Sequence, residues 1–141
     1  MIDINTPLFK AYFDIIKEII PCYEGEEPDD VKHKLYAVIS DPVIAETSTK
    51  NSTDVKATIQ IAVHSWEYKY NSSASGLNNA VNNILADIKP TSLSVLDLSA
   101  SGLQMMNLSV QQDRTERFGE MGGKNYISRI LIFKQDIFVT S

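Results

Sequence analysis

The stretch Val55-Lys56-Ala57-Thr58-Ile59-Gln60-Ile61-Ala62-Val63-His64-Ser65 decides the fold class. Val55, Ala57, Ile59, Ile61 and Val63 take every second position and alternate with Lys56, Thr58, Gln60, Ala62 and His64. On a helix these apolar residues would scatter around the whole circumference. On extended backbone successive side chains point to opposite sides, so they gather on one face. The stretch reads as a half-buried strand whose odd-numbered face needs an apolar cover.

A second strand is expected over Asn125–Phe133. Its apolar residues occupy both parities, with Ile127, Leu131 and Phe133 on one face and Tyr126, Ile130 and Ile132 on the other. Such a strand is covered on both sides, and with few helices at hand the second cover is expected to be a neighbouring subunit. Tyr126, Ile130 and Ile132, with Trp66 at the end of the first strand, are therefore candidate subunit-interface residues.

Two helices supply the first cover. Leu8, Tyr12, Ile15, Ile16, Ile19 and Ile20 recur at helical spacing, with Asn5 or Thr6 as the expected cap, Pro7 in the first turn and Pro21 as the stop. Leu77, Val81, Ile84, Leu85 and Ile88 form the stripe of a helix over 76–88, opposite Asn78, Asn79, Asn82, Asn83 and Asp87. Asparagine is a mediocre helix former, so packing of the stripe must hold this element. Shorter strands are expected at 34–40, 43–47, 93–98 and 103–112. Polar loops are expected at 22–33, 48–54 and 70–75, and a glycine-containing loop at 113–124. The order α-β-β-β-α-β-β-β describes an α+β domain spanning 1–141, an antiparallel β-sheet with two main helices packed on one face.

The chain has 141 residues, 43% of them hydrophobic, and a formal charge of −5. That length suits one domain and a core that folds without metal or disulfide. Glu24, Glu26, Glu27, Asp29 and Asp30 carry the whole excess, and the remaining residues sum to zero. Lysines and arginines stand singly, which argues against a surface built to neutralise nucleic-acid phosphates. No apolar run reaches the roughly 18 residues of a membrane helix, and the N-terminus has no basic segment leading into an apolar one.

Motifs that carry chemistry are missing. His33 and His64 have no partners at metal-ligand spacing. Gly122-Gly123-Lys124 lacks the first glycine of a phosphate loop, since Phe118 stands there, and Asn125 replaces the magnesium-holding hydroxyl. Glu24–Asp30 does not follow a calcium-loop spacing and reads as solvated. No nucleophile elbow surrounds Ser65, and Cys22, with no flanking base, reads as a small hydrophobe. No catalytic, cofactor-binding or metal-binding residue is expected, and no cofactor.

The order of elements nevertheless resembles a known family. A helix leads to the strand Leu35-Tyr36-Ala37-Val38-Ile39, then to a strand ending Val63-His64-Ser65-Trp66. A helix with the stripe Leu77-x-x-Ala80-Val81-x-x-Ile84-Leu85 and a C-terminal strand pair follow. This pattern, over nearly the full chain, is similar to the tail-completion or tail-terminator (head-to-tail joining) proteins of long-tailed bacteriophages. Leu35 stands where that family commonly has proline, and the acidic run at 24–30 is not part of its pattern.

The resemblance implies a non-enzymatic structural virion protein, assembled in the host cytoplasm. It would form a homo-oligomeric, typically hexameric, ring at the head–tail junction. Its partners would be its own copies, the tail-tube protein, whose polymerisation it stops, and a head-connector or neck protein docked on its other side. Double-stranded DNA would pass through the lumen without specific binding. Arg114, Glu116, Arg117, Phe118, Glu120 and Lys124 are candidates for a partner or lumen loop, with Glu116 and Glu120 as lumen acids. Two other classes fit the same patterning: another neck or tail-tube subunit, and a small-molecule-binding α+β domain with its pocket between helix 77–88 and the sheet.

Overall fold

Strand alternation carries directly into the architecture. The computed structural model describes residues 3–25, 35–46, 54–68, 75–88, 96–121 and 124–139. Strand β4 (Asp54–Tyr68) pairs antiparallel with β6 (Lys124–Val139) from Asp54 opposite Phe138 to Tyr68 opposite Lys124, without a register shift. Ala57, Ile59, Ile61 and Val63 of β4 and Ile127, Leu131, Phe133 and Ile137 of β6 are buried on one face of this pair. Helices α1 (Asn5–Ile16) and α2 (Ser75–Ile88) cover that face. α1 contributes Leu8, Tyr12 and Ile16, and α2 contributes Leu77, Ala80, Val81, Ile84 and Ile88. The fold is α+β, a six-stranded, mostly antiparallel sheet with both helices on one side.

The sheet runs β1-β2-β4-β6-β5, with β3 on the same edge of β4 as β2. β2 (Leu35–Ile39) pairs with β4 from Leu35 opposite Ser65 to Ile39 opposite Ile61. β3 (Val43–Glu46) resumes with Val43 opposite Thr58. Three residues, Ser40 to Pro42, therefore face two of β4, and this extra residue reverses which parity faces the helices. Ala37 and Ile39 point to the core before the break. After it Ile44 does, while Val43 turns outward and is 67% exposed.

Four expectations need correction. Neither Asn5 nor Thr6 caps α1 with its side chain; Asp3 Oδ1 accepts the Thr6 N–H at 3.2 Å, and the helix ends at Ile16 rather than at Pro21. The segment after Pro21 is not all loop. Cys22–Glu24 is strand β1, parallel to β2, and three residues are too few to show a period. Gly25, at φ +77°, then turns the chain, a conformation cheap only for glycine, and its N–H reaches Ile39 O. Leu96–Leu98, the described part of the strand expected at 93–98, is not a strand. Asp97 Oδ1 accepts the Ser99 N–H at 2.9 Å, starting a 3₁₀ turn at Ser99–Ser101 that Gly102 closes in the left-handed region.

The largest correction concerns 113–124. Strand β5 runs from Leu103 to Met121, pairing with β6 as far as Met121 opposite Lys124. Charged residues in place of apolar ones suggest a loop, but a ladder needs only backbone groups; the side-chain pattern reports burial. β5 spends three more residues than β6 on the same ladder, with register shifts between Met106 and Ser109, Val110 and Gln112, and Arg117 and Glu120. At the first, Asn107 adopts φ +56° and its amide donates to Asp136 Oδ2 at 2.8 Å, a tolerated role for asparagine. The observed order is α1-β1-β2-β3-β4-α2-β5-β6. Of the loops expected at 48–54 and 70–75, Asp54 opens β4 and Ser75 opens α2, and the other residues lie outside those described. Among the described residues no helix is long and apolar enough to cross a membrane.

Candidate functional site

The sheet face away from the helices carries the even-numbered residues of β2, β4 and β6, and register sorts them into rows. One row runs Tyr36, His64, Ser128, Glu116 across β2, β4, β6 and β5; the next runs Val38, Ala62, Ile130, Arg114. In the first, His64 Nδ1 lies 2.5 Å from Ser128 Oγ. The Tyr36 and His64 rings are 5.2 Å apart, and Tyr23 of β1 meets Tyr36 edge-on at 5.9 Å.

Serine, histidine and a carboxylate in one row invite comparison with a nucleophile and its base. The order is wrong, because the serine rather than the imidazole lies in the middle. Ser128 is also 0% exposed, and a nucleophile must meet its substrate. The pair is a cross-strand hydrogen bond that orients His64 between two aromatic residues and β6. Ser65 is buried on the helix side, so it too is unreachable. Cys22 is half-buried, and burial pushes its thiol up to about 12. Its alkylation by iodoacetamide at pH 8 is expected to be on the order of 100-fold slower in the folded chain than in denaturant. Comparable rates in the two states would contradict that burial.

The candidate interface residues divide. Ile130 is 6% exposed within one chain, so its burial requires no neighbour, whereas Ile132 is half-buried. Trp66 and Tyr126 stand opposite each other in the β4–β6 ladder; their side chains lie outside those described. Of the candidate loop residues, Arg114 Nε and Glu116 Oε1 form an exposed ion pair at 2.9 Å. Arg117, Phe118 and Glu120 lie on β5, and Lys124 opens β6. Of the acidic group, Glu24 ends β1 and is exposed; Glu26, Glu27, Asp29 and Asp30 lie outside the described residues.

Two constellations escaped the sequence reading. Arg129 donates through Nε and Nη2 to both carboxylate oxygens of Asp113, each at 2.7 Å, and through Nη1 to Asn78 of α2 at 3.0 Å. This fork ties helix, β6 and β5 together. On the core side, Tyr12 donates its hydroxyl to Gln135 Oε1, and Gln135 Nε2 donates to the Ala57 carbonyl at 2.6 Å. Tyr12 and Gln135 are both 0% exposed, and burial raises the Tyr12 hydroxyl far above its usual range. The signal for Gln135 was a polar residue at core parity between Phe133 and Ile137.

A cleft of about 330 Å³ lies between Leu96–Ser99 and Leu103–Met105. Its carboxylate, Asp97, is held below the usual carboxylate range by the Ser99 hydrogen bonds that build the turn. Among the described residues no group of three or more histidine, cysteine, aspartate or glutamate side chains is placed to hold a metal ion. The space between α2 and the sheet is filled by Leu77, Val81, Ile84 and Ile88, all 0% exposed. No protein-family model matches the chain, and no curated protein matches it at a significant level.

Proposed function

We propose that this protein is a structural subunit of a phage virion, forming a ring at the head–tail junction that caps the tail tube and docks the head connector. The observation that favours it is β5. From Ser109 to Thr115 every residue is exposed, on both faces, along a strand that ends the sheet. A terminal strand offers its outer N–H and C=O groups to another chain, and its charges and bulges restrict which chain can pair there. In the pair of His64 and Ser128 the serine is buried, which favours a binding role over catalysis.

In this reading Glu116 contributes little repulsion toward DNA in the lumen, because Arg114 offsets its charge at 2.9 Å. Low retention of DNA rests instead on the scarcity of clustered lysine and arginine.

The test is light scattering and negative-stain imaging of the protein alone and mixed with polymerising tail-tube protein from the same genome. In the mixture, closed rings seated on tubes that stop at a capped end are expected. Long fibres of the protein alone would make it a tube subunit instead. Small particles that leave tube growth unchanged would overturn the structural reading.

A further inference from the structure

We infer that the outer edge of β5 pairs with the same edge of a second copy, antiparallel about a two-fold axis through Thr115. Three observations meet there. β5 is the terminal strand of the sheet, and its residues 109–115 are exposed on both faces. Gln112 to Arg117 is its longest run in unbroken register, bounded on each side by a register shift. Within that run the charges of Asp113, Arg114, Thr115, Glu116 and Arg117 read minus, plus, zero, minus, plus.

That order is its own complement when reversed. With Thr115 opposite the partner's Thr115, Arg114 stands opposite the partner's Glu116, and Asp113, whose carboxylate Arg129 already engages, stands opposite the partner's Arg117. Directly opposite residues of an antiparallel pair share a face, with Cβ atoms about 5 Å apart, and opposite charges there attract. An edge-to-edge two-fold must pass through the sheet perpendicular to it, so pairs of equal parity meet. The charges obey this, Arg114 and Glu116 being even, Asp113 and Arg117 odd. Shifting the axis to Arg114 or to Glu116 puts two like charges on the axis. A parallel pairing in register sets every charge against its own kind.

The single chain is already prepared for this contact. Arg114 and Glu116 sit side by side at 2.9 Å, so the paired copies form a ring of four alternating charges around the axis. Charges on an edge usually discourage pairing, and the two bulges confine it to a short run. Here they select one partner and one register. The contact closes at two copies, whereas a ring needs heterologous contacts. A ring that uses the β5 edge must first open this pair, so rings on tubes and the two-copy pair of the free protein are read out separately.

The test uses the full chain with exposed, fold-neutral substitutions, checked by circular dichroism. Light scattering over roughly 10 μM to 1 mM, a range suited to a small interface, should show mass rising from 15.8 kDa toward twice that value. R114E and E116R should each weaken association about tenfold or more, because two attractive pairs become repulsive. Mixing the two variants, or combining both substitutions in one chain, restores every opposite-charge pair and should restore association. A Thr115→Cys chain should cross-link to itself on oxidation. A wild-type mass that stays at one chain, single variants that associate like wild type, or a mixture that fails to recover would each overturn the proposal.

Discussion

Gln135→Ala should lower the unfolding free energy by about 3–5 kcal/mol, a large share of the 5–15 kcal/mol typical of a domain. Two terms produce it. The Tyr12 hydroxyl and the Ala57 carbonyl lose their partner in a fully buried site, at about 1–3 kcal/mol for each group left unpaired. The missing side-chain atoms also leave a void beneath α1 that the surrounding core closes only in part. Because Tyr12 and Gln135 act through each other, their substitutions should not add. Tyr12→Phe in a Gln135→Leu background removes both ends of one hydrogen bond, and its effect should be at least about 1 kcal/mol smaller than in the wild type. Urea unfolding of the four proteins measures this directly. Additive effects would mean that the tyrosine and glutamine do not bond in solution.

The second large effect separates core from surface on the face without helices. Ile130→Asp should cost several kcal/mol, enough to leave most of the chain unfolded, because Ile130 is 6% exposed and a buried unpaired carboxylate is strongly disfavoured. Arg114 is its neighbour on β5, but that side chain is exposed and already engaged with Glu116. Ile132→Asp at a half-buried position should fold, losing on the order of 1 kcal/mol. If that surface meets another copy or a virion partner, assembly of the folded Ile132→Asp protein should fall. Thermal melts together with light scattering distinguish the cases. An Ile130→Asp protein that melts like wild type would show that the position is not enclosed.

Elements with a long period were legible. β4 and both helices follow from alternation or helical spacing, because each packs one face against a core and so writes its burial into the sequence. Elements without a period were not. β1 is three residues long, and Ser109–Thr115 of β5 has solvent on both faces, so neither carries an apolar pattern. The two missed constellations have the opposite cause. Arg129 and Gln135 are polar side chains at core parity in β6, each satisfied by partners far away in sequence. Phe133-Lys134-Gln135-Asp136-Ile137 looks polar until Ile137 is known to be buried. Only then does Gln135 fall into a core row, where it must find a donor and an acceptor.

The central β4–β6 ladder has a consequence for how the protein is made. Its partners lie between 56 and 84 residues apart in sequence, and β6, the last described strand to leave the ribosome, inserts between β4 and β5 rather than adding at an edge. Until it arrives, β4 keeps an open side and β5 has no strand to pair with. The middle of the sheet is therefore completed last, and β4 waits with an open side from residue 68 until β6 begins at 124. Closing such distant pairs is slow, so the yield of soluble protein should depend on the speed of that final step as much as on the stability of the finished fold.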